Sequence, residues 1–289
     1  MIQERLKGTG VALVTPFTKD LAVDYSGLTK LLDFVLDGGV DYIVINGTTA
    51  ESVTTTAEEK KQILQTIKQH VNGRVPLVYG LGGNNTQQLV DSFATTDLNG
   101  IDAILSVSPY YNKPSQQGIY QHYVAVAEAS PVPIILYNVP GRTGSNITAD
   151  TTLKLAAHPN IIGIKEASGN VEQCISIAKH KPADFMLISG DDMLTVPLIS
   201  FGGVGVISVL ANAFPEKFSN MTRNALNGDY KKAGELLYDF IDINPLMYEE
   251  GNPVGVKVLL ERFGVCEVAV RLPLVEASAG LKDRLFKLL

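Results

Sequence analysis

Lys165 ends the stretch Ile161-Ile-Gly-Ile-Lys165-Glu-Ala-Ser-Gly169, an apolar run bounded by Pro159-Asn160 before it and Ser168-Gly169 after it. Such a run reads as a parallel-sheet strand covered on both faces, with the lysine near its carboxyl end. Lysine is almost never fully buried without a partner. A lysine amine at its ordinary pKa is neutral in only about four molecules in ten thousand at pH 7, and desolvation acts against the charged form. A strand-end lysine is therefore a candidate nucleophile, able to form a Schiff base with a carbonyl substrate. A plainer reading also fits: Lys165 snorkels to the rim or pairs with Glu166.

A Schiff-base lysine needs a proton shuttle, because carbinolamine formation, dehydration and enamine formation each move a proton. Tyr137, closing the run Pro133-Ile-Ile-Leu-Tyr137, is a candidate for that task, or an ordinary barrel aromatic. Thr48 and Tyr111 could relay the proton outward. The Gly47-Thr48-Thr49 turn can aim N–H groups and hydroxyls at a carboxylate, or serve only as a strand-to-helix cap. Glu51 reads as the anchor of that turn rather than as a base. Arg142, in Pro140-Gly-Arg-Thr-Gly144, carries a fork of donors suited to a second carboxylate, or is a solvated loop arginine. Ser189-Gly190-Asp191-Asp192 completes the set.

Short apolar runs that could position these residues occur at 10–14, 42–45, 76–79, 103–107, 133–137, 161–164, 185–188 and 204–207. Between them lie helical patterns, such as 25–37 with Leu28, Leu31, Leu32, Val35 and Leu36 on one face, and 57–71 with Ile63, Leu64, Ile67 and Val71. Strands alternating with helices imply right-handed crossovers and a parallel sheet. Eight such units point to an α/β fold of the (β/α)8 TIM-barrel type, with a doubly wound open sheet as the other possibility. In a barrel every candidate above follows a strand and faces one mouth. After Asn212 the strand signal stops, and 215–226, 230–242, 253–263 and 277–289 read as helices. The expected organisation is a barrel over 1–214 with a C-terminal helical region over 215–289.

Composition narrows the chemistry. The chain has 289 residues, is 45% hydrophobic and 19% charged, and has a net charge of -6 with no basic block, which argues against a nucleic-acid partner. No apolar run reaches the length of a membrane span and no signal-peptide pattern opens the chain, so a cytoplasmic enzyme is expected. Cys174 and Cys266 lack disulfide or metal spacing and read as packing residues. His70, His122, His158 and His180 stand alone, so no metal is expected. Without a P-loop or GxGxxG turn, no nucleotide cofactor is indicated.

The words GTTAES, SPYYNKPSQQG, YNVPGRTG, IIGIKEASGN, SGDD and GGVGVISV, in this order and spacing, resemble the dihydrodipicolinate synthase family, and NPVGVKVLL with RLPL extends the likeness into the C-terminal helices. The resemblance implies a class I aldolase-like lyase on a barrel, condensing pyruvate with L-aspartate 4-semialdehyde on the diaminopimelate route to lysine, without metal or cofactor. It assigns the imine to Lys165 and proton transfer to Tyr137. Thr48 and Tyr111 match the proton relay, with Tyr111 reaching a neighbouring subunit's site in a homodimer or homotetramer. Thr49, Gly190 and the Ile207 backbone match substrate contacts, and Arg142 matches the guide for the semialdehyde carboxylate. N-acetylneuraminate lyases and 2-keto-3-deoxy sugar-acid aldolases share the lysine and tyrosine, but usually carry GSTGE in the first motif and lack this arginine. Ala50 stands where many members have glycine. In lysine-inhibited members an interface pocket uses two histidines and a glutamate; Ala57, Lys60 and Gln88 stand at those positions. This departure implies weak or absent lysine feedback.

Overall fold

Each of the eight apolar runs becomes a strand in the computed structural model, which describes residues 2–289. The strands are β1 (Gly8–Ala12), β2 (Tyr42–Ile45), β3 (Leu77–Gly80), β4 (Ala103–Val107), β5 (Ile134–Asn138), β6 (Ile161–Glu166), β7 (Met186–Ser189) and β8 (Gly205–Ser208). They pair in chain order, all parallel, and β8 returns to β1 to close a barrel, so the open-sheet alternative falls away. Closure depends on a close approach. A Cβ on Gly205, whose φ is +148°, would lie 2.0 Å from the Gly8 carbonyl oxygen, and only glycine tolerates that contact.

Alternation along the strands separates two apolar layers. Ala12, Val44, Val78, Leu105, Ile135, Ile188 and Ile207 fill the barrel interior. Val11, Ile43, Ile104, Leu136, Ile164 and Val206 face the surrounding helices. β1 ends at Ala12 rather than Val14 because the chain leaves the ladder there: the Leu13 N–H still donates to the Val44 carbonyl, but the Val14 N–H donates to Asn212 Oδ1.

The helices Tyr25–Asp37 and Ala57–Val71 form as the periodicity demands. Asp24 caps the first, and the second begins with a reciprocal Thr56–Glu59 capping box. Helix Pro215–Leu226 packs on β1, β8 and helix Tyr25–Asp37. The helix expected over 230–242 ends at Tyr238, followed by a separate turn of helix at Ile243–Leu246, while Val254–Arg262 and Ala279–Phe286 lie within the expected 253–263 and 277–289. No strand follows Ser208, and no helix among the described residues is long and apolar enough to cross a membrane.

His122, 5% exposed on helix Gln116–Ala129, meets Thr86 Oγ1 through Nδ1 at 2.9 Å, while its Nε2 has no hydrogen-bond partner among the described residues. Burial pushes the imidazole down to about 4. A folded pKa below the unfolded value of about 6.5 stabilises the protein above that value and loses the contribution as pH falls towards 4, a difference on the order of 3 kcal/mol. Melting temperature is thus expected to fall between pH 6.5 and 4, and His122→Gln should flatten that slope. An unchanged slope in the variant would assign the acid sensitivity to other groups.

Candidate active site

Strict alternation from outward-facing Ile161 would point Lys165 outward too, but β6 carries a register shift: Ile134 pairs with Ile161, and the next residue, Ile135, pairs with Gly163. This bulge places Ile161 and Ile164 both on the outer layer, three residues apart, and turns Lys165 inward. Bulges re-aim side chains in this way. Lys165 is consequently 5% exposed, in register with Tyr137 on β5 and Ile188 on β7, with its Nζ 4.5 Å from the Tyr137 ring centroid.

Glu166 faces the other way, which removes the plainer reading of Lys165 as its ion-pair partner. Its carboxylate accepts hydrogen bonds from Asn138 Nδ2, Gln173 Nε2 and the Ser168 N–H, at 3.0, 2.9 and 2.7 Å. Lys165 makes no ion pair among the described residues.

The amine faces a cavity of about 1250 Å³ at the carboxyl ends of the strands, where barrel enzymes carry their chemistry. Thr48, Thr49, Tyr137, Arg142, Lys165 and Gly190 all line it. Thr49 is 3% exposed and Thr48 is open to solvent, both on a single 3-10 turn after β2. Arg142 sits exposed on the short helix Pro140–Thr143, so its fork is free at the rim. Gly190 leaves room for the lysine: a Cβ there would lie 3.0 Å from Lys165 Cε and 2.6 Å from Ala167 Cβ.

Two sequence-derived candidates lie elsewhere. Ile207 is buried in the barrel interior and is not among the lining residues. Tyr111 is 88% exposed, with a φ of +72°, and also stands outside the cavity wall. Glu51 does anchor the first turn. Its Oε1 accepts from Lys257 Nζ at 2.7 Å and its Oε2 from the Arg271 N–H at 2.9 Å.

Sequence reasoning missed a contribution from the C-terminal region. Asn244, Tyr248 and Asn252 line the cavity, and Asn252 Nδ2 donates to Thr49 Oγ1 at 3.1 Å. Tyr248 is 39% exposed and lines the cavity. Burial holds it well above the usual phenol range, with Asp192, Asp191 and Tyr137 adding to the effect and Arg142 opposing it. Behind Asp191, the Asp192 carboxyl is pushed up to about 6 by desolvation, against the pull of the Leu210 and Val209 N–H groups that it accepts at 2.9 and 3.2 Å.

The arrangement joins a buried unpaired amine, a phenol ring beside it and a free guanidinium at the rim. It suits addition of the amine to a keto acid, followed by reaction with a second anionic substrate.

Comparison with known proteins agrees. The model of the dihydrodipicolinate synthetase family matches residues 5–289. A 4-hydroxy-tetrahydrodipicolinate synthase of Cytophaga hutchinsonii is 56% identical over 274 residues, covering 95% of this chain and 92% of that protein. Among solved structures, the dihydrodipicolinate synthase of Acinetobacter baumannii complexed with pyruvate aligns with a TM-score of 0.95 at 38% identity, over 98% of this chain and 97% of that one. The enzyme of Cyanidioschyzon merolae with lysine bound aligns with a TM-score of 0.93 at 37% identity, over 98% and 97%. The chain belongs to the dihydrodipicolinate synthetase family.

Proposed function

We propose that this cavity condenses pyruvate with L-aspartate 4-semialdehyde to 4-hydroxy-tetrahydrodipicolinate, the activity for which its relatives are named. The observation that carries the reading is Lys165: a buried amine with no ion-pair partner among the described residues, lining the cavity beside Tyr137. The amine adds to the ketone carbon and the carbinolamine loses water to give the imine, with Tyr137 carrying protons in both steps. Loss of a methyl proton gives the enamine, whose carbon attacks the aldehyde while Arg142 holds the carboxylate of the second substrate. The substrate's own amino group then displaces Lys165 from the imine carbon, closing the ring and restoring the free amine. Thr49 and Gly190 line the keto-acid end, and Ile207 contributes through its backbone.

Thr48 and Tyr111 complete the proton relay in this reading. Tyr111 is exposed and does not line its own cavity, so in this reading it serves the site of a second copy, and a homodimer or a dimer of dimers is the working assembly. The enzyme acts in the cytoplasm.

Borohydride reduction in the presence of pyruvate, with mass spectrometry of the peptide holding residue 165, tests the proposal. A reduced pyruvyl adduct on Lys165, together with consumption of the semialdehyde by untreated enzyme, is expected. An adduct without consumption points to another pyruvate aldolase, and no adduct ends the Schiff-base reading. Arg142→Ala should keep the adduct and impair use of the semialdehyde; equal loss of both would make Arg142 structural.

Regulation follows from the residues at positions 57, 60 and 88. Ala57 and Lys60 line the cavity and Gln88 is exposed on helix Thr86–Ser92. A cation at Lys60 and no carboxylate at Gln88 disfavour capture of a lysine ammonium. Activity is expected to persist at low millimolar lysine, and clear inhibition there would sink the idea.

A further inference from the structure

The turn that carries Thr48 and Thr49 is held from the far end of the chain by three separate contacts. Glu51, its last residue, sits in the left-handed region at φ +52°, where a glutamate needs external support, and is 3% exposed. Lys257 supplies that support from the helix Val254–Arg262. Its side chain is 0% exposed, with Nζ 2.7 Å from both Glu51 Oε1 and the Ala269 carbonyl oxygen and 4.4 Å from the centroid of the Phe17 ring. The Arg271 N–H takes the other carboxylate oxygen, and its guanidinium grips the Thr54 carbonyl and both oxygens of Glu59. Asn252 meets Thr49 Oγ1 directly.

A buried ion pair is a poor source of net stability, because desolvation offsets most of its attraction. Its strength is geometric: two hydrogen-bonded carboxylate oxygens fix the orientation of the turn. We infer that Lys257 is a positioning residue for the keto-acid site, acting through Glu51 to hold the Thr48-Thr49 turn at the orientation that receives the substrate carboxylate. The inference rests on the proposed function for its substrate. It makes the C-terminal helical region part of the active site rather than an appendage to it.

The test compares the wild type with Lys257→Met and Lys257→Met/Glu51→Gln. The single change strands a buried carboxylate and lowers the melting temperature; the double change removes the stranded charge and restores most of it. Half-saturation by pyruvate in borohydride trapping is expected to stay about tenfold above wild type in the double variant, the loss of one charge-assisted hydrogen bond. The maximal trapping rate should stay within about threefold, because Lys165 and Tyr137 are untouched. Amide hydrogen exchange in residues 47–52 should accelerate while that in β6 does not, and this readout needs no ligand. Recovery of wild-type half-saturation and exchange along with stability would overturn the inference, leaving Lys257 a purely structural residue. Should the double variant fail to fold, Lys257→Met alone, assayed below its melting temperature, carries the same comparison, since it removes the Lys257 contact to Glu51 and leaves the Arg271 N–H contact in place. An unlabelled wild type would count against the proposed function, and the exchange data would still decide the clamp.

Discussion

A Lys165→Met protein is expected to fold normally and to lose about ten-thousandfold in kcat, with no pyruvyl adduct after borohydride reduction. The structural half rests on the absence of a partner: among the described residues the 5%-exposed Lys165 makes no ion pair, so methionine strands no buried charge. Methionine matches the stem of lysine and fills irregular gaps well, which keeps the packing beside Gly190 and Ala167. The chemical half is categorical, because every later step depends on the imine, and removal of a covalent nucleophile typically leaves only binding and electrostatic contributions. Steady-state rates beside the melting temperature check both halves. A folded variant with substantial activity, or an adduct on another lysine, would remove Lys165 from the mechanism.

The barrel was legible because its strands are covered on both faces and read as apolar runs, and because helical periodicity separates them. Its boundaries moved where something other than hydropathy decides them, as at β1, where Asn212 takes the Val14 N–H. Lys165 was legible as an anomaly, but its direction was not. The bulge between Ile161 and Gly163 that turns it inward has no period of its own in Ile161-Ile-Gly-Ile-Lys165. Thr48, Thr49, Arg142 and Gly190 were found because they follow strands, and the structure brings them to one cavity with Lys165 and Tyr137.

The C-terminal contribution shows what that rule omits. Asn252 and Tyr248 reach the cavity from a helical region with no strand end to mark them. Lys257 did carry a signal, the one that had singled out Lys165: a lysine inside the apolar run Val254-Gly-Val-Lys257-Val-Leu-Leu260. At Lys165 the burial leaves an amine facing a cavity, and at Lys257 it closes an ion pair. Sequence alone does not separate these outcomes, because the partner, Glu51, lies more than two hundred residues away.

Tyr137→Phe should lower kcat by about 10²- to 10⁴-fold, the usual contribution of a positioned acid–base group, while pyruvate still forms a slowly accumulating adduct on Lys165. The change removes one oxygen and keeps the ring under Lys165 Nζ, along with its packing against the barrel interior. Solvent deuterium entering the methyl group of pyruvate isolates the step in question, since that exchange needs imine formation and proton removal but no second substrate. The exchange should slow in parallel with kcat. Exchange and turnover near wild-type values would shift the proton transfer to another group. Tyr248, another phenol lining the cavity, would then be tested, although burial and the nearby Asp192 and Asp191 carboxylates oppose ionisation of its hydroxyl. Geometry is the reason for assigning the proton to Tyr137: its ring lies 4.5 Å from Lys165 Nζ, the atom on which the imine forms, in register with Lys165 on the neighbouring strand.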